Sequence, residues 1–274
     1  MRASSTSPHS PLPLTAVVLS YNSERTLRPV LDSLQFCKDI VVVDSGSTDS
    51  SLIIANTFGN VRVFHRDLAG FGEQKNFAVE QAKFDWVFVV DSDEIVSKPL
   101  QDEIFAVFQE GAPRASAYQV PVQLYFLGKP IHYSGQQSKK TVRLFNRFIS
   151  HFDQAVIHEN VVVKGELGSF KHPLLHHSYL TLEDYFSKFN RYTSLAAKKL
   201  AEQSSTPQKH KVFTGFAFHF FKFYFIKLGM LDGYHGFLWC LFSALYPVVK
   251  YAKYEEFFEG KGLLQFGIEN KAAE

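Results

Sequence analysis

Four short apolar runs, each followed by polar residues, constrain the first third of the chain most strongly. They are Thr15–Ser20, Ile40–Asp44, Val61–Phe64 and Trp86–Val90. Continuous runs rich in Val and Ile are typical of strands that are covered on both faces, and such strands pair in parallel. Helical stretches lie between and after these runs, at Glu24–Phe36, Asp49–Phe58, Glu73–Lys83 and Pro99–Gln109. The alternation predicts an α/β domain with crossover helices.

The pattern changes after Gln109. Strand-like segments at Ala117–Val122, Val142–Phe145 and Asn160–Val163 predict a mixed sheet, with a loop at Gly128–Gln137. From Thr181 onward the strand pattern ends, because Leu182–Leu200 is helical and residues 212–254 are dense in aromatic side chains. We therefore expect a flexible tail at residues 1–14, an α/β domain at 15–180 and a helical C-terminal extension at 181–274.

Composition excludes several classes of protein. A net charge of +2 is too small for a protein that wraps nucleic acid by bulk electrostatics, so we expect no nucleic-acid partner. The two cysteines, Cys37 and Cys240, lie far apart, which fits a reducing compartment better than a disulfide scaffold. Residues 1–13 are rich in Ser and Pro and lack an apolar core segment. We therefore expect no secretory signal and a cytoplasmic catalytic domain.

The most informative polar feature is Asp91-Ser92-Asp93, which directly follows the last apolar run. Two carboxylates at positions i and i+2 can reach one cation and a nearby hydroxyl group. Mg²⁺ and Mn²⁺ take oxygen ligands and commonly bridge a carboxylate to substrate phosphates. Asp44 ends the second run, and Ser20-Tyr21-Asn22 ends the first. Because such strand ends meet at the ligand edge of an open α/β sheet, these residues predict a metal–nucleotide site.

A glycine-containing segment, Gly70–Asn76, is predicted to be a loop that enters a helix. Glycine permits close approach of the backbone to a ligand, and Lys75 offers a positive charge to a nucleotide. The segment lacks both the Gly-x-Gly-x-x-Gly dinucleotide pattern and the Walker Gly-Lys-Ser/Thr ending. On its own, it fits an ordinary helix N-terminus equally well.

These motifs resemble those of family 2 glycosyltransferases, which are inverting enzymes of the GT-A fold that use nucleotide sugars. The resemblance is carried by Val17–Asn22, Val41–Asp49, Gly70–Asn76 and Asp91–Glu94. Four further segments resemble the bacterial lipopolysaccharide inner-core β-1,4-glucosyltransferase group: Arg143–Phe145, Val156–Glu159, His176–Tyr179 and Gly229–Gly233. The resemblance implies a GT-A, Rossmann-like domain. It also implies transfer of glucose from UDP-glucose to a lipid-linked saccharide, a heptose of the lipid A–core.

The same resemblance implies roles for individual residues. Asp93 would bind Mg²⁺ or Mn²⁺, and Asp91 would contact the ribose or bind the cation through water. His176 would add a contact to the metal or the diphosphate, with His177 as the alternative. Other residues implied in donor binding are Ser20, Tyr21, Asn22, Glu24, Asp44, Gly72, Gln74, Lys75, Asn76, Ser92 and Arg143.

Inversion at the anomeric carbon is a single displacement, which needs one general base opposite the leaving group. The predicted base is Glu159, in the His158-Glu159 pair of the resembled group, and Asp153 is the alternative. A salt bridge from Glu159 to Arg143 or Arg147 remains an open interpretation of the same residue.

The aromatic C-terminal part is rich in basic residues. Ten Lys or Arg and four acidic residues lie between positions 183 and 254. Basic residues among aromatic ones predict a surface that lies on an anionic membrane, although a buried helical cap with a basic rim fits the same pattern. We favour an interfacial helix pair over a membrane span, because the uncharged run Gly233–Val249 is short and contains Pro247. We expect peripheral attachment to the cytoplasmic face of the inner membrane. The predicted contacts are five lysines and six aromatic residues: Lys211, Lys222, Lys227, Lys250 and Lys253 with Phe213, Phe216, Phe220, Phe223, Tyr224 and Trp239.

Three alternatives remain open from the sequence. A glycosyltransferase of the same fold acting on another cell-surface polysaccharide would carry the same motifs. A nucleotidyltransferase also uses paired acids and a metal, but it would carry a glycine-rich basic loop that Ser20–Glu24 does not supply. A non-catalytic, membrane-docked scaffold would leave the acid cluster idle, and a metal-dependent UDP-binding assay would reveal this.

Overall fold

The computed structural model describes residues 10–109, 111, 113–136, 140–153, 160–202 and 210–265, with the backbone alone at 210–213 and 259–265. The chain divides into two compact units. Residues 1–124 and 138–177 form the first, and residues 125–137 and 178–274 form the second. The segment 125–137, which the sequence assigns to the α/β domain, therefore belongs to the helical unit.

The first unit begins with alternating strands and helices. Their bounds are β1 Leu12–Ser20, α1 Leu27–Ser33, β2 Cys37–Asp44, α2 Ser51–Ala55, β3 Val61–His65, α3 Phe71–Glu80 and β4 Trp86–Asp91. The four strands lie side by side in the order β3-β2-β1-β4, and every neighbouring pair is parallel. The parallel pairing predicted from the apolar runs is confirmed. The predicted tail extends too far, because β1 begins at Leu12 and buries Leu12 and Leu14.

Both faces of β1, β2 and β4 are covered, which explains why most of their residues are apolar. Val18 and Val42 belong to one core cluster with residues of α1, whereas Val17 and Val41 belong to a second cluster with residues of α3. Successive side chains of a strand point to opposite faces, so both faces must be apolar when both are buried.

The rest of the first unit adds antiparallel strands and one long helix. The elements that follow β4 are β5 Glu94–Val96, α4 Lys98–Gln109, β6 Ala117–Phe126, β7 Lys129–Pro130, β8 Lys140–Asn146, β9 His151–Phe152, β10 Val161–Val162, β11 Leu167–Ser169 and β12 Leu174–Tyr179. Strand β8 lies antiparallel between β4 and β6, and β12 pairs antiparallel with β5. The central sheet is therefore mixed, as the sequence predicts. The ends of β6 and β12 and all of β7 belong to the second unit.

The second unit is mainly helical. It contains α5 Leu182–Glu202, α6 His210–Phe221, a π-helical segment Lys222–Ile226, a 3₁₀ turn Gly229–Asp232 and α7 Gly233–Gln265. The Asp232 carboxylate accepts hydrogen bonds from the backbone N–H groups of His132 (3.1 Å) and Tyr133 (2.9 Å). A side chain at Gly229 would overlap Ser134 and Cys240. These contacts explain why the segment 125–137 is part of this unit.

No helix in the described part of the chain is both long enough and apolar enough to cross a lipid bilayer. Two residues predicted to meet a membrane are engaged inside the second unit. Trp239 packs against Phe126 and Tyr185, with ring centroids 5.6 and 6.3 Å apart. The Lys253 ammonium group donates hydrogen bonds to Asn190 and to other groups of α5. Both side chains are partly buried, and the interfacial role predicted for them stays a prediction.

Candidate active site

The carboxyl ends of three neighbouring parallel strands bring most of the predicted site residues to one edge of the sheet. Strand β1 lies between β2 and β4. Ser20 pairs with Asp44 across the β1–β2 ladder, and Leu19 pairs with Asp91 across the β1–β4 ladder. The polar residues that follow these strands therefore share one edge, which is where open α/β sheets bind ligands.

The loop after β1 interlocks with the loop after β2. Asn22 adopts a left-handed backbone (φ +46°), and its side-chain oxygen accepts a hydrogen bond from the Thr48 backbone N–H at 2.9 Å. The Glu24 carboxylate accepts one from the Ser50 N–H, and the Glu24 N–H donates to Asp49. Asn22 and Glu24 thus fix the shape of the edge. These bonds also explain why α1 begins at Leu27, three residues later than predicted.

Asp44 is buried and shapes the turn that follows it. Its carboxylate accepts hydrogen bonds from the backbone N–H groups of Gly46 (3.0 Å) and Ser47 (2.9 Å) and from the Ser47 hydroxyl (2.5 Å). Gly46 has a φ of +89°, which glycine adopts without strain. Tyr21, by contrast, leaves 60% of its surface exposed at the end of β1.

Two buried polar atoms near this edge have no hydrogen-bond partner within the described residues. They are Ser20 Oγ and Gln74 Oε1. The amide nitrogen of Gln74 does have partners, since it donates to Ser45 Oγ (3.2 Å) and to the Arg66 carbonyl (2.8 Å). An unsatisfied buried polar group costs about 1–3 kcal/mol, so a ligand that supplied the missing partners would relieve this cost.

Asp91 lies within a network of buried charges. Arg143, on β8, donates hydrogen bonds to Asp91 (2.9 Å) and to Glu94 (2.6 Å). Lys75, on α3, places its ammonium group 3.4 Å from the other oxygen of Asp91. Glu94 also accepts a hydrogen bond from the Asp91 backbone N–H. Arg143, Lys75 and Glu94 are all buried, and the network joins four elements, α3, β4, β5 and β8.

The charges in this network shift the pKa values of the two acids in opposite directions. Burial raises the pKa of Asp91, but the nearby charges of Arg143 and Lys75 outweigh burial and hold that pKa well below its usual range. Burial is the largest influence on Glu94 and raises the pKa of this carboxyl, against the attraction of Arg143. Asp91 therefore stays ionised at neutral pH.

The two residues predicted to hold a metal are in direct contact. The imidazole Nε2 of His176 lies 3.2 Å from a carboxylate oxygen of Asp93. The pairing of β12 with β5 sets this geometry, since it places His176 opposite Glu94. Burial lowers the pKa of His176, but the hydrogen bond to Asp93 and the negative charges of Asp93, Glu94 and Asp91 together outweigh burial and raise the pKa. His177 instead donates its backbone N–H to the Asp93 carbonyl, and burial and the His176 charge lower its side-chain pKa.

The donor set fits a divalent cation in part. A carboxylate oxygen and an imidazole nitrogen are both ligands for Mn²⁺ and related ions. No group of three or more His, Cys, Asp or Glu side chains placed to hold a metal ion occurs among the residues that the structure describes. Asp93 and His176 would thus supply two ligands, and phosphate oxygens and water commonly complete such a shell.

The predicted glycine loop is the first turn of a helix. Helix α3 begins at Phe71, directly after Gly70, so Gly72 is a buried helical residue and the loop prediction is wrong at this position. Asn76 exchanges two hydrogen bonds of 3.0 Å with the backbone of Phe152 on β9. Asn76 therefore positions β9, and Lys75, one residue earlier, is the side chain of this helix that reaches Asp91.

The two candidate bases lie beyond β9. Asp153 closes the β9–β10 turn, because its carboxylate accepts a hydrogen bond from the Asn160 backbone N–H (3.1 Å) and its own N–H donates to the Asn160 carbonyl (2.9 Å). Glu159 lies outside the described residues, as does His158.

Sequence reasoning missed Glu94 and Ser23 as site residues. Glu94 is the second acid on Arg143, and a signal for it was present, because it directly follows the Asp-Ser-Asp motif. Ser23 donates its hydroxyl to Ser92 Oγ at 2.9 Å, which ties the β1 loop to the β4 loop. Both contacts depend on which strands are neighbours.

Comparison with known proteins identifies the family. Residues 15–156 match the model of the family described as "Glycosyl transferase family 2". This match covers more than half of the chain, and the chain belongs to that family. The predicted fold class, an α/β GT-A domain with a mixed sheet followed by a helical C-terminal region, is confirmed.

Relatives of similar length support this assignment. The chain is 28% identical over 248 residues to the lipopolysaccharide core biosynthesis glycosyltransferase LpsC of Rhizobium meliloti (strain 1021), a match that covers 88% of this chain and 92% of LpsC. It is 28% identical over 254 residues to an uncharacterised glycosyltransferase of Rickettsia bellii (strain RML369-C), with 89% and 86% covered. The crystal structure of S. aureus TarS 1–349 in complex with UDP-GlcNAc aligns with a TM-score of 0.43 at 18% identity, covering 94% of this chain and 93% of that one.

The charge network predicts a large loss of stability on substitution of Arg143. In Arg143→Met, Asp91 loses its hydrogen-bonded cation and Glu94 is left buried without it, so we expect the free energy of unfolding to fall by about 3–5 kcal/mol. Lys140→Met, on the same strand but exposed, should change it by less than about 0.5 kcal/mol. Chemical denaturation of both variants measures the difference. Equal stability of the two variants would show that the buried charges are not coupled.

Proposed function

We propose that this glycosyltransferase transfers glucose from UDP-glucose to a lipid-linked saccharide, a heptose of the lipopolysaccharide inner core, with inversion at the anomeric carbon. The observation that carries the proposal is the cluster of Asp44, Asp91 and the Asp93–His176 pair along one edge of the sheet. The acceptor class is supported by LpsC, a relative named for lipopolysaccharide core biosynthesis that matches over most of both chains.

In this proposal the uridine lies over the ends of β1 and β2. The exposed ring of Tyr21 offers a flat surface for the base, and Asp44, Ser20 and Gln74 offer hydrogen-bonding groups to the base and ribose. Asp91 faces the ribose. Its charge is already balanced by Arg143 and Lys75, which leaves Asp93 as the acid for the metal.

The diphosphate leaves with a growing negative charge that must be neutralised. A bound Mg²⁺ or Mn²⁺ would act as a Lewis acid on the diphosphate, held by Asp93 and His176. Lys75 is buried close to Asp91 and offers a second positive charge at the same edge. Arg143 acts through Asp91 and Glu94, because its guanidinium already bridges both acids.

The acceptor hydroxyl transfers its proton to Glu159 as it attacks the anomeric carbon. Asp153 is the alternative base. Its carboxylate accepts a backbone hydrogen bond that closes the β9–β10 turn, and this structural role favours Glu159 for catalysis. Asn76 anchors β9 to α3, seven positions before Glu159 in the sequence.

The C-terminal unit would hold the enzyme on the anionic membrane that carries its acceptor. Exposed apolar side chains are concentrated between residues 218 and 234, which we call the apolar segment. They include Phe218, Phe221, Phe225, Ile226, Leu231 and Tyr234. Exposed apolar side chains beside basic ones such as Lys227 are typical of surfaces that lie on anionic lipid.

A second candidate differs only in donor and acceptor. TarS of S. aureus, a poly(ribitol-phosphate) beta-N-acetylglucosaminyltransferase, is 33% identical to this chain over 107 residues, which are 35% of the chain. This likeness favours transfer of N-acetylglucosamine to another cell-surface polysaccharide. A panel of UDP-, ADP- and GDP-sugars with a heptose-bearing lipid A–core acceptor, scored by nucleotide release, separates the two candidates.

The metal assignment predicts that Asp93 is essential for turnover. Asp93→Asn removes a charged ligand from the ion, so UDP-glucose turnover should fall by about a thousandfold, equivalent to several kcal/mol. Asp85→Asn is the matched control, because Asp85 is exposed at the opposite end of β4. A chelator should abolish wild-type turnover, and added Mn²⁺ should restore it. Full activity of Asp93→Asn, or of the chelated enzyme, would rule the assignment out.

The proposed base predicts different effects for two conservative substitutions. Glu159→Gln retains the size of the side chain but removes its ability to accept a proton, so kcat should fall by roughly 10²–10⁴-fold while UDP binding persists. Asp153→Asn should retain most of the activity, because its amide oxygen still accepts the hydrogen bond from Asn160. The reverse pattern would assign the base to Asp153.

The apolar segment predicts salt-sensitive binding to vesicles. The wild-type protein should sediment with anionic vesicles at low salt and be released at high salt, since surface charge is screened. Phe221→Ser/Ile226→Ser should weaken partitioning by at least about tenfold, because each buried side chain contributes roughly 1.5–3 kcal/mol. Phe148→Ser, which alters an exposed residue of the first unit, is the control. Equal sedimentation of these variants would exclude the apolar segment as the contact.

A further inference from the structure

The second unit contains a cavity of about 470 Å³. Its described lining includes none of the candidate active-site residues at the carboxyl ends of β1, β2 and β4, which we call the strand-end site. The cavity lies among helices α5, α6 and α7, the π-helical segment and Tyr179. Its size falls within the range of roughly 300–1,000 Å³ that is common for small-molecule sites. Neither the sequence motifs nor the proposed transfer reaction accounts for it.

The walls of the cavity are mainly aromatic. Tyr185, Phe189, Phe223, Trp239 and Tyr246 all contribute to the lining. Several of these rings pack against one another, so the walls are held in place without a ligand. The ring centroids of Tyr185 and Phe189, for example, are 5.8 Å apart. A preformed, largely apolar cavity favours an apolar ligand, because filling it requires little rearrangement.

Among the described lining residues, the polar groups are the hydroxyls of four Tyr and of Ser243, the Trp239 N–H, His219 and Lys250, and Lys250 alone carries a charge at neutral pH. Lys250 and His219 both line the cavity, and no Asp, Glu, Asn or Gln is present among the described lining residues. Burial and the nearby charges of Lys222 and Lys250 lower the pKa of His219, which keeps its imidazole neutral at neutral pH. A single positive charge beside neutral, mainly aromatic walls favours a ligand that combines an apolar chain with one anionic group.

One wall of the cavity continues into the apolar segment. His219 and Phe223 line the cavity, and the neighbouring side chains of Phe218, Phe221 and Phe225 are exposed. The same stretch of helix therefore contributes both to the cavity and to the surface that we propose lies on the membrane. An apolar chain leaving a bilayer would meet this stretch first.

We propose that this cavity binds the acyl chain of a single anionic lipid, with the chain among the aromatic rings and the anionic group at Lys250. This lipid site goes beyond the proposed membrane contact, because a protein can bind to a membrane surface without having a cavity for a lipid. It does not depend on the transfer reaction. A fatty acid and an anionic lysophospholipid would both fit, because each has a single acyl chain and an anionic head group.

Trp239 supplies a direct reporter for this site. Bromine atoms quench tryptophan fluorescence on close contact, so bromine-labelled stearate, used below its micelle concentration, should quench Trp239 in the full-length protein. In Trp239→Phe the remaining tryptophan, Trp86, is a partly buried residue packed against the core of the first unit and does not line the cavity, so quenching should disappear. A wild-type protein that shows no quenching would overturn the proposal.

Three substitutions locate the binding site. Ser243 is a small lining residue, so Ser243→Leu should fill space in the cavity and weaken binding at least tenfold. Lys250→Gln should weaken stearate binding about fivefold, the effect of one lipid-facing charge. Lys199→Gln removes an exposed charge of α5 that lies outside both the lining and the apolar segment, and it should leave binding unchanged. Equal binding by Lys250→Gln and Lys199→Gln would overturn the assignment of the anionic group, even if Ser243→Leu failed to fold.

Two further experiments identify the class of ligand and distinguish a failure of the lipid site from a failure of the proposed sugar transfer. A brominated stearyl alcohol should bind more weakly than stearate, and a lipid-free core oligosaccharide should not displace stearate. Displacement by the oligosaccharide would instead identify a saccharide site. Asp93→Asn, which we expect to be inactive, should bind stearate as the wild type does. If the wild-type enzyme transfers the sugar but bromine-labelled stearate does not quench Trp239, the lipid site is overturned and the proposed function is unaffected.

Discussion

The bridge from Arg143 to Asp91 and Glu94 is the interaction on which the rest of the site depends. It places one cation between two acids at the polar end of β4, where Arg143 and Glu94 are buried and Asp91 is partly exposed. Such an arrangement is stable only when every charge has a partner, because an isolated buried charge is costly. Arg143 thereby holds Asp91, and with it the start of the Asp91-Ser92-Asp93 turn, in one position. The Asp93–His176 contact is built on that turn.

The strand-end site could be predicted because it follows from local patterns. Strands β1, β2 and β4 are each apolar over their last four or more residues before a polar residue at the carboxyl end, so Ser20, Asp44 and Asp91 fall at one edge without any further information. The partners of these residues could not be predicted in the same way. Glu94 and Arg143 are 49 positions apart, and their contact depends on β8 lying next to β4, which hydrophobic periodicity does not encode. Helix α1 began later than predicted, because backbone groups of Ser23 and Glu24 bond to the neighbouring loop.

The aromatic C-terminal part shows more clearly what amino-acid composition alone cannot predict, namely which side chains are buried. Trp239 and Phe221 are both large apolar side chains in a basic region, yet Trp239 packs within the unit whereas Phe221 is 55% exposed. The difference arises from helix packing and from the Gly229–Asp232 turn, which together decide which helix faces meet. Composition predicts that such a region contacts something apolar, but it does not separate the side chains that form the core from those that form the surface.

The central claim is that Asp93 and His176 hold a divalent cation against the diphosphate of a UDP-sugar at the ends of β1, β2 and β4. The most direct test is a crystal structure with UDP and Mn²⁺, in which anomalous scattering locates the manganese ion. The account predicts one anomalous peak that contacts the Asp93 carboxylate, the His176 imidazole and the diphosphate, with the uracil beside Asp44. A structure that binds UDP at another edge, or a manganese peak that touches neither Asp93 nor His176, would contradict it.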